Sequence, residues 1–191
     1  MENEKYLFVV SGAAGTGKDS VVKALRTAHP EIEKTVSATT RTPREGEKDG
    51  INYHFMTVAD FEDHLAHDQI VEHTKYCENY YGTLRSEIDN KIAAGRDVVL
   101  DIDVKGALNV KRIYGDKAVT IFILPPDVEE LRRRLVGRAT DSPEVIEQRV
   151  AKADYELGFA PQFDFRVVND DLDDAVDEAR RIITQHIASA E

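Results

Sequence analysis

The stretch "SGAAGTGKDS", residues 11–20, constrains this chain more than any other. Gly12, four residues, Gly17 and Lys18 lie between an apolar run, Tyr6–Val10, and a segment from Lys18 to His29 with helical spacing. Glycines in such a turn let backbone N–H groups point inward around phosphate oxygens, and the helix N-terminus adds its positive end. The strand-and-helix context makes the pattern meaningful, because a glycine-rich turn with an exposed lysine needs neither neighbour. Gly12, Ala13, Ala14, Gly15, Thr16, Gly17, Lys18, Asp19 and Ser20 are therefore candidate triphosphate-binding residues, with Lys18 reaching the outer phosphates.

One position departs from the common form of this loop. Asp19 stands where a hydroxyl for magnesium is expected, and a carboxylate beside polyphosphate is repelled unless a cation lies between them. Either Ser20 supplies the hydroxyl one residue later, or Asp19 itself holds the metal, directly or through water. The loop leaves both open. A second acidic feature bears on the ion: "VVLDID" closes an apolar run with Asp101 and Asp103, two residues apart and expected on one face of a strand. Ligands of open α/β sheets bind beyond the carboxyl ends of the strands. Asp101 suits a role in holding the metal's water shell.

The remaining apolar runs point to one architecture. Val98–Ile102, Val119–Leu124 and Phe165–Val168 are continuous rather than alternating, and helical patterns separate them. Such runs predict a parallel sheet covered on both faces by helices. Thr57 and Asp60 form a capping-box pair, Gly95 ends a helix around Ile88–Ala94, and Ser142-Pro143 opens another. Thr35–Tyr81 differs, being polar and turn-rich with room for two short strands. The fold class is α/β, a P-loop NTPase-type parallel sheet flanked by helices. The core is expected over 1–36, 84–125 and 160–191, an insertion over 37–83, and a lid with its flanking helices over 126–159.

Within the insertion, "SATTRTPREGEKDGINYHF" sets Arg41 and Arg44 in a turn held by Pro43, near Glu47 and Tyr53. Two arginines three apart suit a phosphate dianion, and a tyrosine adds a hydroxyl donor. A polar surface loop would have a similar composition. Beyond it, "EHTKYCENYYGT" offers Glu72, Tyr81 and Thr83. The set 11–20, 37–53, 72–83 and 100–107, in this order and spacing, resembles guanylate kinases, and "FILPP" and "VVNDDLD" extend the likeness over nearly the whole chain.

The resemblance implies transfer of the γ-phosphoryl group of ATP to GMP, with Mg2+ as cofactor. It implies that Arg41, Arg44, Tyr53 and Tyr81 hold the GMP phosphate, and that Ser37, Glu72, Thr83 and Asp103 read the base. Glu47 takes a supporting part in the same GMP-binding segment. Guanine chemistry agrees, since N1–H and N2–H2 are adjacent donors that one carboxylate can accept. Adenine presents an acceptor at N1, and a buried carboxylate facing it gives about 10⁴-fold discrimination.

"EELRRRLVGRATDSPEVIEQRV" carries Arg134 and Arg138 four apart on one helical face, with Arg149 further on. An arginine run is ordinarily a solvated face. By the resemblance, Arg134, Arg138 and Arg149 are the lid arginines that close over the polyphosphate and, with Lys18, act catalytically. Ala139 departs from the glycine common at its position in the family. Two other functions fit parts of the pattern: a binding module that has lost catalysis, and a kinase for another small phosphate ester. Modules of the first kind typically lack the phosphate loop that this chain keeps.

A net charge of −11 opposes non-specific binding to nucleic acid or anionic membranes. The only cysteine, Cys77, permits no internal disulfide, which fits a cytoplasmic location. No apolar stretch approaches the ~20 residues of a membrane helix. His64, His67, His73 and Cys77 lack a second tight ligand pair and read as surface residues rather than a zinc site. None of the motifs encodes an oligomeric state.

Overall fold

A computed structural model describes residues 5–136 and 143–189. Its elements in chain order are β1 (Leu7–Gly12), α1 (Lys18–Ala28), β2 (Glu33–Lys34), β3 (Ala38–Thr39), β4 (His54–Phe55), α2 (Val58–Ala66), β5 (Ile70–Tyr76), β6 (Asn79–Leu84) and α3 (Arg85–Ala93). There follow β7 (Val98–Asp101), α4 (Val104–Tyr114), β8 (Ala118–Leu124), α5 (Val128–Val136), α6 (Pro143–Leu157), β9 (Phe165–Val168) and α7 (Leu172–Ser189).

The main sheet is parallel, in the order β2-β7-β1-β8-β9. β1 lies at its centre, and the apolar run is continuous because both of its faces are covered. Phe8 and Val10 point into a core with Val21, Val22 and Leu25 of α1 and Ala175, Ala179 and Ile183 of α7. Leu7 and Val9 point the other way, against Ile88 of α3 and Val104, Ala107 and Val110 of α4. A central strand with helices on both sides leaves its C-terminal end as the open rim, where the phosphate loop begins.

The second sheet, β4-β3-β6-β5, is mixed: β3 runs parallel to β4 and antiparallel to β6, and β5 and β6 form a hairpin. Phe61 of α2 fills its small core, stacked on Tyr80 at 5.1 Å. The capping box at Thr57 and Asp60 starts α2 as expected. Two expectations change here. Residues 35–81 carry four strands instead of two, although β3 and β4 are only two residues long, too short to show a period of two. The β5–β6 turn uses Cys77, at φ 52°, and Glu78, without the glycine that marks most tight hairpins.

The second correction concerns Asp103. The strand ends at Asp101, and Asp103 is the N-cap of α4, its Oδ1 accepting from the Gly106 N–H at 2.8 Å. The pair is not two residues on one strand face. A carboxylate two residues past a strand end satisfies the first turn of the next helix, and local capping wins over strand continuation. α4 also joins the sheets, since the Asn109 amide donates to the Val71 carbonyl of β5 at 2.6 Å and Val71 packs in the main core.

Candidate active site

The loop after β1 is held from several directions. Gly12 passes so close to β8 that a Cβ there would lie 2.7 Å from the Ile123 carbonyl oxygen. Gly17 takes φ 84°, and a Cβ there would collide with Asn169 Nδ2. That amide, buried just beyond β9, donates to the Thr16 carbonyl at 2.7 Å. The Ser11 hydroxyl donates to the Ile102 carbonyl at 2.9 Å, tying the loop to the end of β7. α1 starts at Gly17 without a side-chain cap, so its first N–H groups are open to an anion.

Lys18 stands between two carboxylates. Its Nζ donates to Asp101 and, at 3.1 Å, to Asp19 Oδ1. Burial works to lower the ammonium's pKa, but Asp101, helped by Asp19, outweighs it and holds Lys18 above the usual lysine range. Asp101 is half-buried at the rim of the sheet, while the Asp19 side chain is 87% exposed. Ser20 lies with Lys23, Ala24 and Thr27 along a separate shallow groove. Among the described residues no group of three or more His, Cys, Asp or Glu converges on one point. Isolated carboxylates with all-oxygen donors fit magnesium, which keeps several waters and binds through one or two carboxylates plus phosphates.

The other end of the site is carboxylate-rich, with Glu72 buried and Asp103 exposed. Glu72 on β5 is 8% exposed and accepts from the Thr83 hydroxyl of β6 at 2.6 Å. Burial raises its pKa to about 7; the Thr83 hydrogen bond works against this and the nearby Asp103 adds to it. Gly106 makes the room, because a Cβ there would lie 3.2 Å from Glu72 Oε2 and 3.3 Å from Asp103 Oδ1.

Between the ends lies a cationic patch. Arg41 donates from Nη1 and Nη2 to Glu47 Oε2 and Oε1 at 3.0 and 2.9 Å, and its guanidinium lies 5.4 Å from the Tyr53 ring centroid. Glu47 also accepts from the Arg44 backbone N–H at 2.7 Å. The hydrogen bond from Arg41 lowers the Glu47 pKa below the usual carboxylate range. Tyr53 and Tyr81 meet edge to face at 6.1 Å.

These groups share one cleft of about 400 Å³, lined by Gly12, Ala14, Lys18, Ser37, Tyr53, Glu72, Tyr81, Asp101 and Asp103. The sequence singled out all nine. Thr83 sits behind Glu72, and Arg41 and Glu47 stand beside the tyrosines. Arg134 on α5 donates to Glu130 Oε1 at 2.7 Å and does not line the cleft. Arg149 is on the surface of α6, and Arg138 and Ala139 lie outside the described residues. Sequence reading missed Thr74, Gly82, Ile102, Lys152 and Glu156, which complete the lining, and the Asn169 buttress. The spacing of Arg149, Lys152 and Glu156, three and then four apart on one helix, was the available signal.

A parallel sheet whose central strand feeds a phosphate loop, facing a cleft with its own cation patch, defines a P-loop phosphate-transfer fold with room for a second small substrate. The comparisons narrow this class. The family model for guanylate kinase matches residues 4–186. A guanylate kinase of Bacteroides fragilis is 42% identical over 185 residues, covering 96% of this chain and 91% of that protein. One of Gloeobacter violaceus is 46% identical over 181 residues, covering 95% and 88%. The crystal structure of guanylate kinase from Anaplasma phagocytophilum superposes with a TM-score of 0.71 at 29% identity, covering 96% of this chain and 87% of that one. The chain belongs to the guanylate kinase family.

Proposed function

We propose that this chain is a working guanylate kinase: ATP + GMP ⇌ ADP + GDP. The observation that carries this reading is the buried Glu72, held by Thr83, sharing one cleft with Asp103 and Lys18. An oxygen of the GMP phosphate attacks the γ-phosphorus, the bond to the ADP oxygen breaks, and no covalent enzyme intermediate is needed. Phosphoryl transfer of this kind rests on alignment and on positive charge at the transferring oxygens.

Each group has a task in that scheme. Gly12, Ala13, Ala14, Gly15, Thr16, Gly17, Lys18, Asp19 and Ser20 hold the ATP phosphates, Lys18 exchanging part of its Asp101 contact for phosphate oxygen. Arg41, Arg44, Tyr53 and Tyr81 orient the acceptor phosphate, and Glu47 keeps the Arg41 guanidinium planar to it. Glu72 accepts N1–H and N2–H2 of guanine, with Ser37, Thr83 and Asp103 completing the base site. Arg134, Arg138 and Arg149 belong to the lid and neutralise the transferring group on closure. Asp101, with Asp19 or Ser20, would hold magnesium, which would supply charge neutralisation to the phosphates.

The working units are the core (1–36, 84–125, 160–191), the GMP-binding insertion (37–83) and the lid (126–159), which close on one another when both substrates bind. Water exclusion on closure limits hydrolysis of ATP. The setting is the cytoplasm, and among the described residues no helix is long and apolar enough to cross a membrane. A coupled assay with ATP, magnesium and each of GMP, AMP, UMP and CMP tests the reading. Turnover with GMP far above the others is expected; no GDP at high enzyme concentration refutes it.

A further inference from the structure

Part of the cleft lining comes from α6, of which the contacts above use Arg149 alone. Lys152 and Glu156 line it there, beside Thr74 and Asp103. Their position is set by packing: Ala153, between them in sequence, is fully buried with Val150, Leu131, Leu135 and Ala13. Ala13 belongs to the phosphate loop, so the packing that places Glu156 reaches that loop.

Its carboxylate is poorly satisfied. The Glu156 side chain is 16% exposed, and its nearest cation, Lys152 Nζ, is 3.7 Å away and 73% exposed. Among the described residues it accepts no hydrogen bond, whereas Glu72 has Thr83 and Asp103 has the Gly106 N–H. A carboxylate that lines a cleft without a protein donor keeps its accepting capacity for a ligand or water.

The register of the second sheet says which part of the ligand lies there. Glu72 faces Thr83, and two residues along the same face Thr74 faces Tyr81. The step from Glu72 to Thr74 runs from the base end of the cleft to its phosphate end. Glu156 shares its part of the lining with Thr74, of the phosphate end, and with Asp103, of the base end, and the sugar of a nucleoside monophosphate joins those two ends. The donors that a sugar offers there are the ribose 2′- and 3′-hydroxyls, and a carboxylate is the usual partner for such hydroxyls.

We propose that Glu156 accepts a hydrogen bond from a ribose hydroxyl of the acceptor nucleotide and sets the enzyme's preference for a ribonucleotide. Lys152, one helical turn away, pairs with the carboxylate at 3.7 Å. The inference rests on GMP being the acceptor, so the test separates the two.

Steady-state kcat/KM is measured for wild type, Glu156→Ala and Glu156→Gln with GMP, 2′-deoxy-GMP and 3′-deoxy-GMP. Alanine is a good helix former, so α6 persists. Wild type should prefer GMP over at least one deoxy analogue by about 10-fold or more, the value of a hydrogen bond to a charged group. Glu156→Ala should lower kcat/KM for GMP to near that analogue's level, leaving a ratio near 1, with Glu156→Gln between. A wild type indifferent to both sugar hydroxyls, or a variant that keeps the wild-type ratio, overturns the role of Glu156 while GMP remains the acceptor. A wild type that turns over no GMP overturns the acceptor assignment and this inference with it.

Discussion

Both carboxylate oxygens of Glu47 hold the two terminal nitrogens of Arg41, at 3.0 and 2.9 Å, and so fix the guanidinium over the Tyr53 ring. A planar fork held on one edge presents its remaining donors in a set direction, which preorganises it for a phosphate dianion. Glu47→Gln should raise the KM for GMP about 10-fold and leave kcat within a few-fold. The melting temperature should hardly move, because the pair lies near the surface. Steady-state kinetics at saturating ATP and a thermal melt check both.

Glu72 must be ionised to accept two guanine donors, yet burial lifts its pKa to about 7. The KM for GMP should therefore rise as pH falls through about 7. The GMP phosphate also titrates, near pH ~6, but that ionisation is common to any variant. The extra rise should be absent from Glu72→Gln, whose KM is high at every pH. A pH profile of kcat/KM for both proteins checks this.

The same shift has a consequence for stability. The folded pKa lies above the ordinary 4.5, so the contribution of Glu72 to stability is full below about pH 4.5 and is lost as pH rises through about 7. Glu72→Gln should gain stability relative to wild type between pH 5 and pH 8, as read by urea midpoints without nucleotide. A constant difference across that range would refute the assignment.

Lys18 separates Asp19 from Asp101. Lys18→Met should lower kcat by about 10²–10³-fold or more, the usual loss for a group that stabilises transition-state charge. Asp19→Ser should retain transfer, since Ser20 and Asp101 remain. Asp19→Lys should abolish it by setting a second ammonium beside the first. Full activity in the lysine variant would refute a metal-side role for Asp19. Initial rates across a magnesium titration provide the measurement.

Gly17 and Asn169 share one space. Gly17→Ala combines positive φ with a clash and should destabilise by about 1–3 kcal/mol. Asn169→Ala strips the Thr16 carbonyl of its donor and should cost about 1–3 kcal/mol. The double variant relieves the clash, so it should lose less than the two single losses added together. Urea denaturation of the three variants tests the coupling.

Local grammar made much of this molecule legible beforehand. The Thr57–Asp60 capping box, the strand Phe165–Val168 and the phosphate loop each depend on residues close in sequence, so their chemistry is written in short windows. The cleft residues Ser37, Tyr53, Glu72 and Tyr81 were legible for another reason: their order and spacing match a family pattern, while composition alone allowed a surface loop. Asp103 was found as a site residue but misplaced on the strand, since an N-cap and a strand end look alike until the following helix is seen.

What remained hidden was set by distance along the chain. Asn169 reaches Thr16 across 153 positions, and no window spans that pair. Glu156 lies on an ordinary amphipathic helix, and its lack of a donor becomes visible when α6 is packed beside Asp103 and Thr74. The motif names Glu72, but its raised pKa comes from burial and the nearby Asp103, which no short window shows. Propensity, capping and loop chemistry act between neighbours and are carried by sequence. Desolvation, unsatisfied hydrogen-bonding capacity and the meeting of remote side chains arise from packing, and they turn a familiar motif into a particular site.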